Sequence, residues 1–151
     1  MNPAIVIPSY WSNEERLGES GSVACYDHAT PIDTPAPQLA DCLKSLEQVA
    51  GLGSVVILVV ASPDVEERAV HRVSDIAATS GLPDVVIVDS FKAAGLRDQY
   101  AHMLPAELSG AIGLVGYGAV RNLGLLACCA LSCDVAVFID DDEVVLDPEF
   151  L

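Results

Sequence analysis

Short, unbroken apolar runs alternate along this chain with stretches in which apolar positions recur every three or four residues. The first pattern predicts strands buried on both faces, and the second predicts helices. Residues 4–7 form a continuous apolar run stopped by Pro8, and residues 54–61 form a longer one stopped by Ser62 and Pro63. Between them, Leu39, Cys42, Leu43, Leu46, Val49 and Ala50 fall at helical spacing until Gly51 and Gly53 end the repeat. Ser62 is placed to cap a second helix, with Pro63 at its first position and Asp64, Glu66 and Glu67 in the electropositive first turn; Gly81 and Pro83 then close it. Residues 84–89 read as a third strand. Pro105, Gly110, Gly113, Gly116 and Gly118 punctuate the next region, where a helix is placed over 92–103. A helix over 119–132 turns Leu123, Leu126, Ala127 and Ala130 inward, and residues 134–139 form a fourth strand. This alternation predicts an α/β fold, one domain over 1–151, with a mostly parallel sheet and helices on both faces.

One connection is out of proportion. Residues 9–35 are far longer than the usual strand-to-helix link of about 2 to 6 residues. The segment holds Tyr10, Trp11, Tyr26, Asp27 and His28, which could line a ligand pocket. It also holds Gly, Ser and Pro residues that suit a mobile surface loop, and both readings stand.

Composition narrows the partners. A chain of 151 residues with 52% hydrophobic and 19% charged residues can bury a core and is not disordered. With 7 Lys plus Arg against 22 Asp plus Glu, the net charge of −15 repels phosphate backbones and anionic lipid headgroups, so no nucleic acid partner is expected. An anionic nucleotide remains compatible if a metal cation sits between it and the protein. The start of the chain lacks a basic region and a long apolar run, and the apolar stretch 123–139 is broken by Ser132 and Asp134, so neither export nor a membrane span is expected. Cys25, Cys42, Cys128, Cys129 and Cys133 are odd in number and form no Cys-x-x-Cys pair. They read as reduced, buried thiols of a cytoplasmic protein, in preference to a soft-metal pair at Cys129 and Cys133.

Chemistry concentrates in two places. Asp140, Asp141, Asp142 and Glu143 follow directly on an apolar strand. Strand alternation would put Asp140 and Asp142 on one side and Asp141 and Glu143 on the other, unless the chain turns at once. Hard oxygen donors of this kind suit Mg²⁺, Mn²⁺ or Ca²⁺ with waters and phosphate oxygens completing the shell, and open α/β sheets bind ligands at the carboxyl ends of their strands. The alternative is a solvated acidic turn. The second place is Gly116 to Gly124, where glycines precede a helix whose N-terminus favours anions and where Arg121 is one of 7 basic residues. Arg121 either meets a diphosphate or pairs with a nearby surface carboxylate.

Together these residues resemble the nucleotide-sugar half of family 2 glycosyltransferases of the GT-A fold. The resemblance is carried by Ala4-Ile5-Val6-Ile7-Pro8-Ser9-Tyr10, by Gly118-Ala119-Val120-Arg121-Asn122-Leu123-Gly124, by Phe138-Ile139-Asp140-Asp141-Asp142 as an Asp-x-Asp motif, and by Asp147-Pro148-Glu149-Phe150-Leu151. Their order and separation match, and the resemblance covers nearly the whole chain. It implies Pro8, Ser9 and Tyr10 near the nucleobase, Arg121 near the nucleotide, Asp140 near the ribose or the metal's water shell, and Asp142 as ligand to Mn²⁺ or Mg²⁺. Asp64 would contact the base, although the family's acids follow the second strand directly, whereas here Ala61-Ser62-Pro63 intervene.

The implied activity is metal-dependent transfer from a nucleotide diphosphate sugar, a UDP-sugar in the first instance, to an unknown acceptor. The family's acceptor half and catalytic base lie beyond the Asp-x-Asp strand, so the base is expected beyond Leu151 and these 151 residues are expected to be inactive in transfer. The competing readings are a nucleotide or nucleotide-sugar binding module without transferase activity, and a nucleotidyltransferase. The last would be favoured by a Gly-rich, Lys-containing loop after the first strand, which residues 9–16 do not offer.

Overall fold

The computed structural model describes residues 1–13 and 29–151, without the side chains of residues 106, 107 and 109. Nine elements follow in order: β1 (Pro3–Ser12), β2 (Thr30–Pro31), α1 (Gln38–Leu46), β3 (Ser54–Ala61), α2 (Glu66–Thr79), β4 (Val85–Val88), α3 (Ser90–Tyr100), α4 (Tyr117–Ala130) and β5 (Val135–Phe138), with short 3₁₀ turns between α3 and α4. All strand pairs among the described residues are parallel. Across the sheet the order is β4, β3, β1, and on the far side of β1 lie β5, beside residues 3–6, and β2, beside Trp11 and Ser12. The expected α/β class with a mostly parallel sheet is therefore present.

Each face of the sheet carries a core. Ile5, Ile7 and Trp11 of β1 join Val55, Ile57 and Val59 of β3 beneath α1 and α2, with Leu39, Leu43, Leu46, Ala69 and Val73 closing over them. On the opposite face Ala4, Val6, Val56, Leu58 and Val60 pack under α3 and α4 through Ala93, Val120, Leu123 and Ala127. Helix α4 comes unusually close to the sheet at Gly124. A β-carbon there would stand 2.8 Å from Val6 Cγ1 and 2.9 Å from Phe138 Cε1, so this position has no room for a side chain.

The expected stop at Pro8 is corrected, because β1 runs on to Ser12. In a parallel ladder the N–H and C=O of one residue point to one neighbour and those of the next residue to the other. Val6 accepts from Ile139 at 3.2 Å and Ser12 accepts from Ile32 at 2.8 Å, so even-numbered residues face the β5–β2 side. At Pro8 that side lies between the end of β5 and the start of β2, and the missing N–H forfeits no ladder bond.

Four other expectations change. Ser62 does not cap α2: the helix begins at Glu66 with Val65 at its N-cap, and the Ser62 carbonyl accepts from Val65 N–H at 3.0 Å in the turn before it. Ala130 is exposed at the end of α4, whereas Leu123, Leu126 and Ala127 are buried as expected. The proposed loop 9–35 begins later, since residues 9–12 are strand and Trp11 is 1% exposed in the core; Cys25, Tyr26, Asp27 and His28 lie outside the described residues. Cys42 and Cys128 are buried, but Cys129 is exposed and Cys133 half-buried, which corrects the view of uniformly buried thiols. Among the described residues no helix is long and apolar enough to cross a membrane.

Candidate functional site

From α1 onward the chain builds β3 and β4 on one side of β1 and returns to β5 on the other, so β1 is the switch point of the sheet. At such a point the connections at the carboxyl ends diverge and leave a crevice. Here β5 ends at Phe138, opposite Val6, while β1 continues to Ser12. The four acids follow beside the stretch of β1 between β5 and β2.

They do not continue the strand. Glu143 N–H donates to Asp140 C=O at 3.1 Å, and Glu143 Oε2 accepts from Asp140 N–H at 2.8 Å, closing residues 140–143 into a turn. The strict alternation expected of Asp140 and Asp142 against Asp141 and Glu143 is therefore replaced by a turn with Asp141 and Asp142 at its corner. Asp140, Asp142 and Glu143 are exposed, and Asp141 is half-buried. Ser9, fully buried on β1, donates its hydroxyl to Asp141 Oδ2 at 2.7 Å. Burial pushes the Asp141 carboxyl up to about 6, the charges of Asp142 and Asp140 add to the rise, and the Ser9 hydroxyl opposes it. No described lysine or arginine forms an ion pair with these four acids.

Helix α1 holds the turn from behind. Cys42 Sγ lies 3.8 Å from the Asp140 carbonyl, and burial, followed by the charges of Asp141, Glu143 and Asp142, pushes its thiol up to about 12. Ser45 Oγ accepts from Val145 N–H at 3.0 Å, Gln48 Nε2 donates to Val145 C=O at 2.9 Å, and Val145 itself is buried in the core. The turn is thus fixed at both ends, by β5 before it and by α1 after it.

The Gly-rich helix start forms the second side. Gly116 stands at the N-cap of α4 with φ 88°, which glycine adopts without strain, and Gly118 has open space where a side chain would be. Asn122 Nδ2 donates to Ala111 C=O at 2.8 Å, tying the preceding segment to the helix. The exposed Arg121 lies with its guanidinium 5.4 Å from the Phe138 ring centroid, at the residue where β5 ends. The alternative of an Arg121 ion pair with a surface carboxylate is not what the structure contains. Tyr10, on the α3–α4 face of β1, contacts Tyr117 at the head of α4 with ring centroids 5.7 Å apart. Pro8 is buried, and Asp64 is exposed in the turn after β3.

The expected site residues Pro8, Ser9, Tyr10, Asp64, Asp140 and Asp142 all come to the carboxyl edge of the sheet, and Arg121 reaches it from α4. The contacts observed for this group run through residues to which the sequence assigned no site role: Asp141 for Ser9, Tyr117 for Tyr10 and Phe138 for Arg121. Two further hydroxyls, of Ser12 and Ser62, and the Trp11 indole N–H are buried at the same edge without a hydrogen-bond partner among the described residues. Each such group costs about 1–3 kcal/mol. Serines following apolar runs were the only available signal for them.

As a metal site the donor set is sparse. Among the described residues no three His, Cys, Asp or Glu side chains converge into a ready-made cage. Exposed Asp140 and Asp142 fit a hard divalent cation that keeps most of its waters and takes further oxygens from a ligand, and they do not fit a closed protein site. Comparison with protein-family models, curated proteins and solved structures finds no match.

Proposed function

We propose that this chain is the donor-binding part of a family 2 type glycosyltransferase of GT-A fold, holding a nucleotide diphosphate sugar, a UDP-sugar first among them, through Mn²⁺ or Mg²⁺. The observation that carries the reading is the acidic turn: it sits at the switch point of a parallel sheet, braced by Ser9 and α1, with no described cation paired to it. Asp142 and Asp140 would hold the cation, whose chemistry is to neutralise the leaving diphosphate. Arg121 at the end of β5 suits the diphosphate, and the Tyr10–Tyr117 pair offers an aromatic surface for the base. Ser9, fully buried against Asp141, shapes the turn from within the sheet.

Among the described residues His71 lies within α2 and His102 in the turn after α3, neither at the acidic turn, and His28 lies outside them. This observation favours a second reading, a binding module for the same nucleotide, and under either reading the chain binds donor without transferring sugar to an acceptor.

Calorimetry with a panel of nucleoside diphosphates tests the shared claim. Binding should be measurable with Mn²⁺ or Mg²⁺ and weak in chelator. Equal binding with and without metal, or none for any nucleotide, rejects the site. Robust transfer to a defined acceptor by these residues alone would reject the view that the base lies elsewhere.

A further inference from the structure

A second reactive cluster lies at the opposite edge of the sheet, where α4 ends and β5 begins. Ser132 there has φ 56°, and two hydrogen bonds close the helix: Cys133 N–H to Cys128 C=O at 3.0 Å and Ser132 N–H to Cys129 C=O at 3.1 Å. This is the Schellman arrangement, in which the residue beyond the left-handed position folds back onto the side chain three places inside the helix end. Both of those positions are cysteines in this chain. The 3.0 Å bond between their backbone groups limits the two α-carbons to a separation of about 7 Å, close to the span a disulfide bridges. The two thiols are close enough to influence each other's titration. Cys133 is half-buried and reachable, whereas Cys128 is 4% exposed and lies behind it.

We propose that Cys128 and Cys133 form a dithiol that closes reversibly to an intrachain disulfide by exchange with a small-molecule disulfide. The inference is independent of the nucleotide site. Cys133, as thiolate, attacks one sulfur of R–S–S–R and expels RS⁻, which takes up a proton. Cys128 then loses its proton to solvent, attacks the Cys133 sulfur of the mixed disulfide and expels the second RS⁻. Two protein thiols are oxidised by two electrons to one disulfide, and one R–S–S–R is reduced to two RSH. Burial raises both thiols, and the Asp134 and Asp84 carboxylates raise Cys133 further, so both rest protonated near neutral pH and the exchange is slow there and faster at alkaline pH. The exposed Cys129 is the competitor, and with its side chain turned outward it is expected to hold a mixed disulfide without closing on Cys133.

The test is disulfide mapping of the native protein after oxidised glutathione at mildly alkaline pH, with free thiols blocked before digestion. Chymotryptic cleavage after Leu131 separates Cys128 and Cys129 from Cys133, so a bridge appears as two linked peptides, and fragmentation assigns it. The expected result is a Cys128–Cys133 linkage that dithiothreitol reverses and that persists in Cys129→Ser. A Cys129–Cys133 linkage, or glutathione adducts at Cys129 and Cys133 with Cys128 still reduced, overturns the proposal. Because the wild-type map decides the question, poor folding of a variant does not obscure it.

Discussion

Replacing Asp141 with asparagine should stabilise the protein near neutral pH. The carboxyl rises from 3.8 to about 6, with burial as the main cause and the charges of Asp142 and Asp140 behind it. A raised carboxyl binds its proton more tightly in the folded state than in the unfolded one. Above about pH 6 the ionised group therefore opposes folding, and the penalty is relieved as pH falls from there toward the unfolded value. That rise corresponds to about 3 kcal/mol, and the partly open setting of the side chain reduces it to about 1–2 kcal/mol. Asparagine removes the charge, keeps the shape and still presents an oxygen to the Ser9 hydroxyl, 2.7 Å from the present carboxylate. In chelator-treated buffer, Asp141→Asn should raise Tm by roughly 3–6 °C at pH about 7 to 8, and the gain should vanish toward pH about 4. Thermal unfolding followed across that pH range measures both quantities. A destabilised asparagine variant at neutral pH, or a gain that does not depend on pH, would refute the view that Asp141 is held ionised against a burial cost.

Two further outcomes are expected. Gly124→Val places new atoms where even a β-carbon meets Val6 at 2.8 Å and Phe138 at 2.9 Å, so urea unfolding should show a loss of about 1–3 kcal/mol; a change within about 0.5 kcal/mol would contradict the close approach of α4 to the sheet. Cys42, buried and with its thiol at about 12, should resist alkylation in the native protein while the exposed Cys129 reacts, and peptide mapping that finds Cys42 modified first would contradict its place behind the acidic turn.

The strands and the Gly-rich helix start were legible because each left a local mark. Unbroken Val and Ile runs have few structures open to them other than a buried parallel strand. Gly124 and Asn122 belong to a motif whose backbone roles, close packing and a tie to Ala111, are visible in the fold. What was not legible depended on neighbours distant in sequence. Pro8 looked like a stop because nothing local says that its missing N–H faces the opening between β5 and β2. Ser62 looked like a helix cap, yet α2 starts four residues later. Trp11 looked like a loop aromatic and is a core residue, since β1 is paired with β3 as far as Ala61. The acids were found from sequence, but the middle one, Asp141, took the inward position because β5 ends at Phe138 and the chain turns there.

The central claim is that the acidic turn holds a divalent cation together with a nucleotide diphosphate. The most direct measurement is electron paramagnetic resonance of Mn²⁺ titrated with the protein and UDP, comparing the wild type with Asp142→Asn. Loss of the free Mn²⁺ signal should require protein and nucleotide together, beyond what UDP binds alone, and Asp142→Asn should abolish that excess while leaving the thermal transition in place. An identical Mn²⁺ titration for the two proteins, or no excess binding by the wild type, would contradict it.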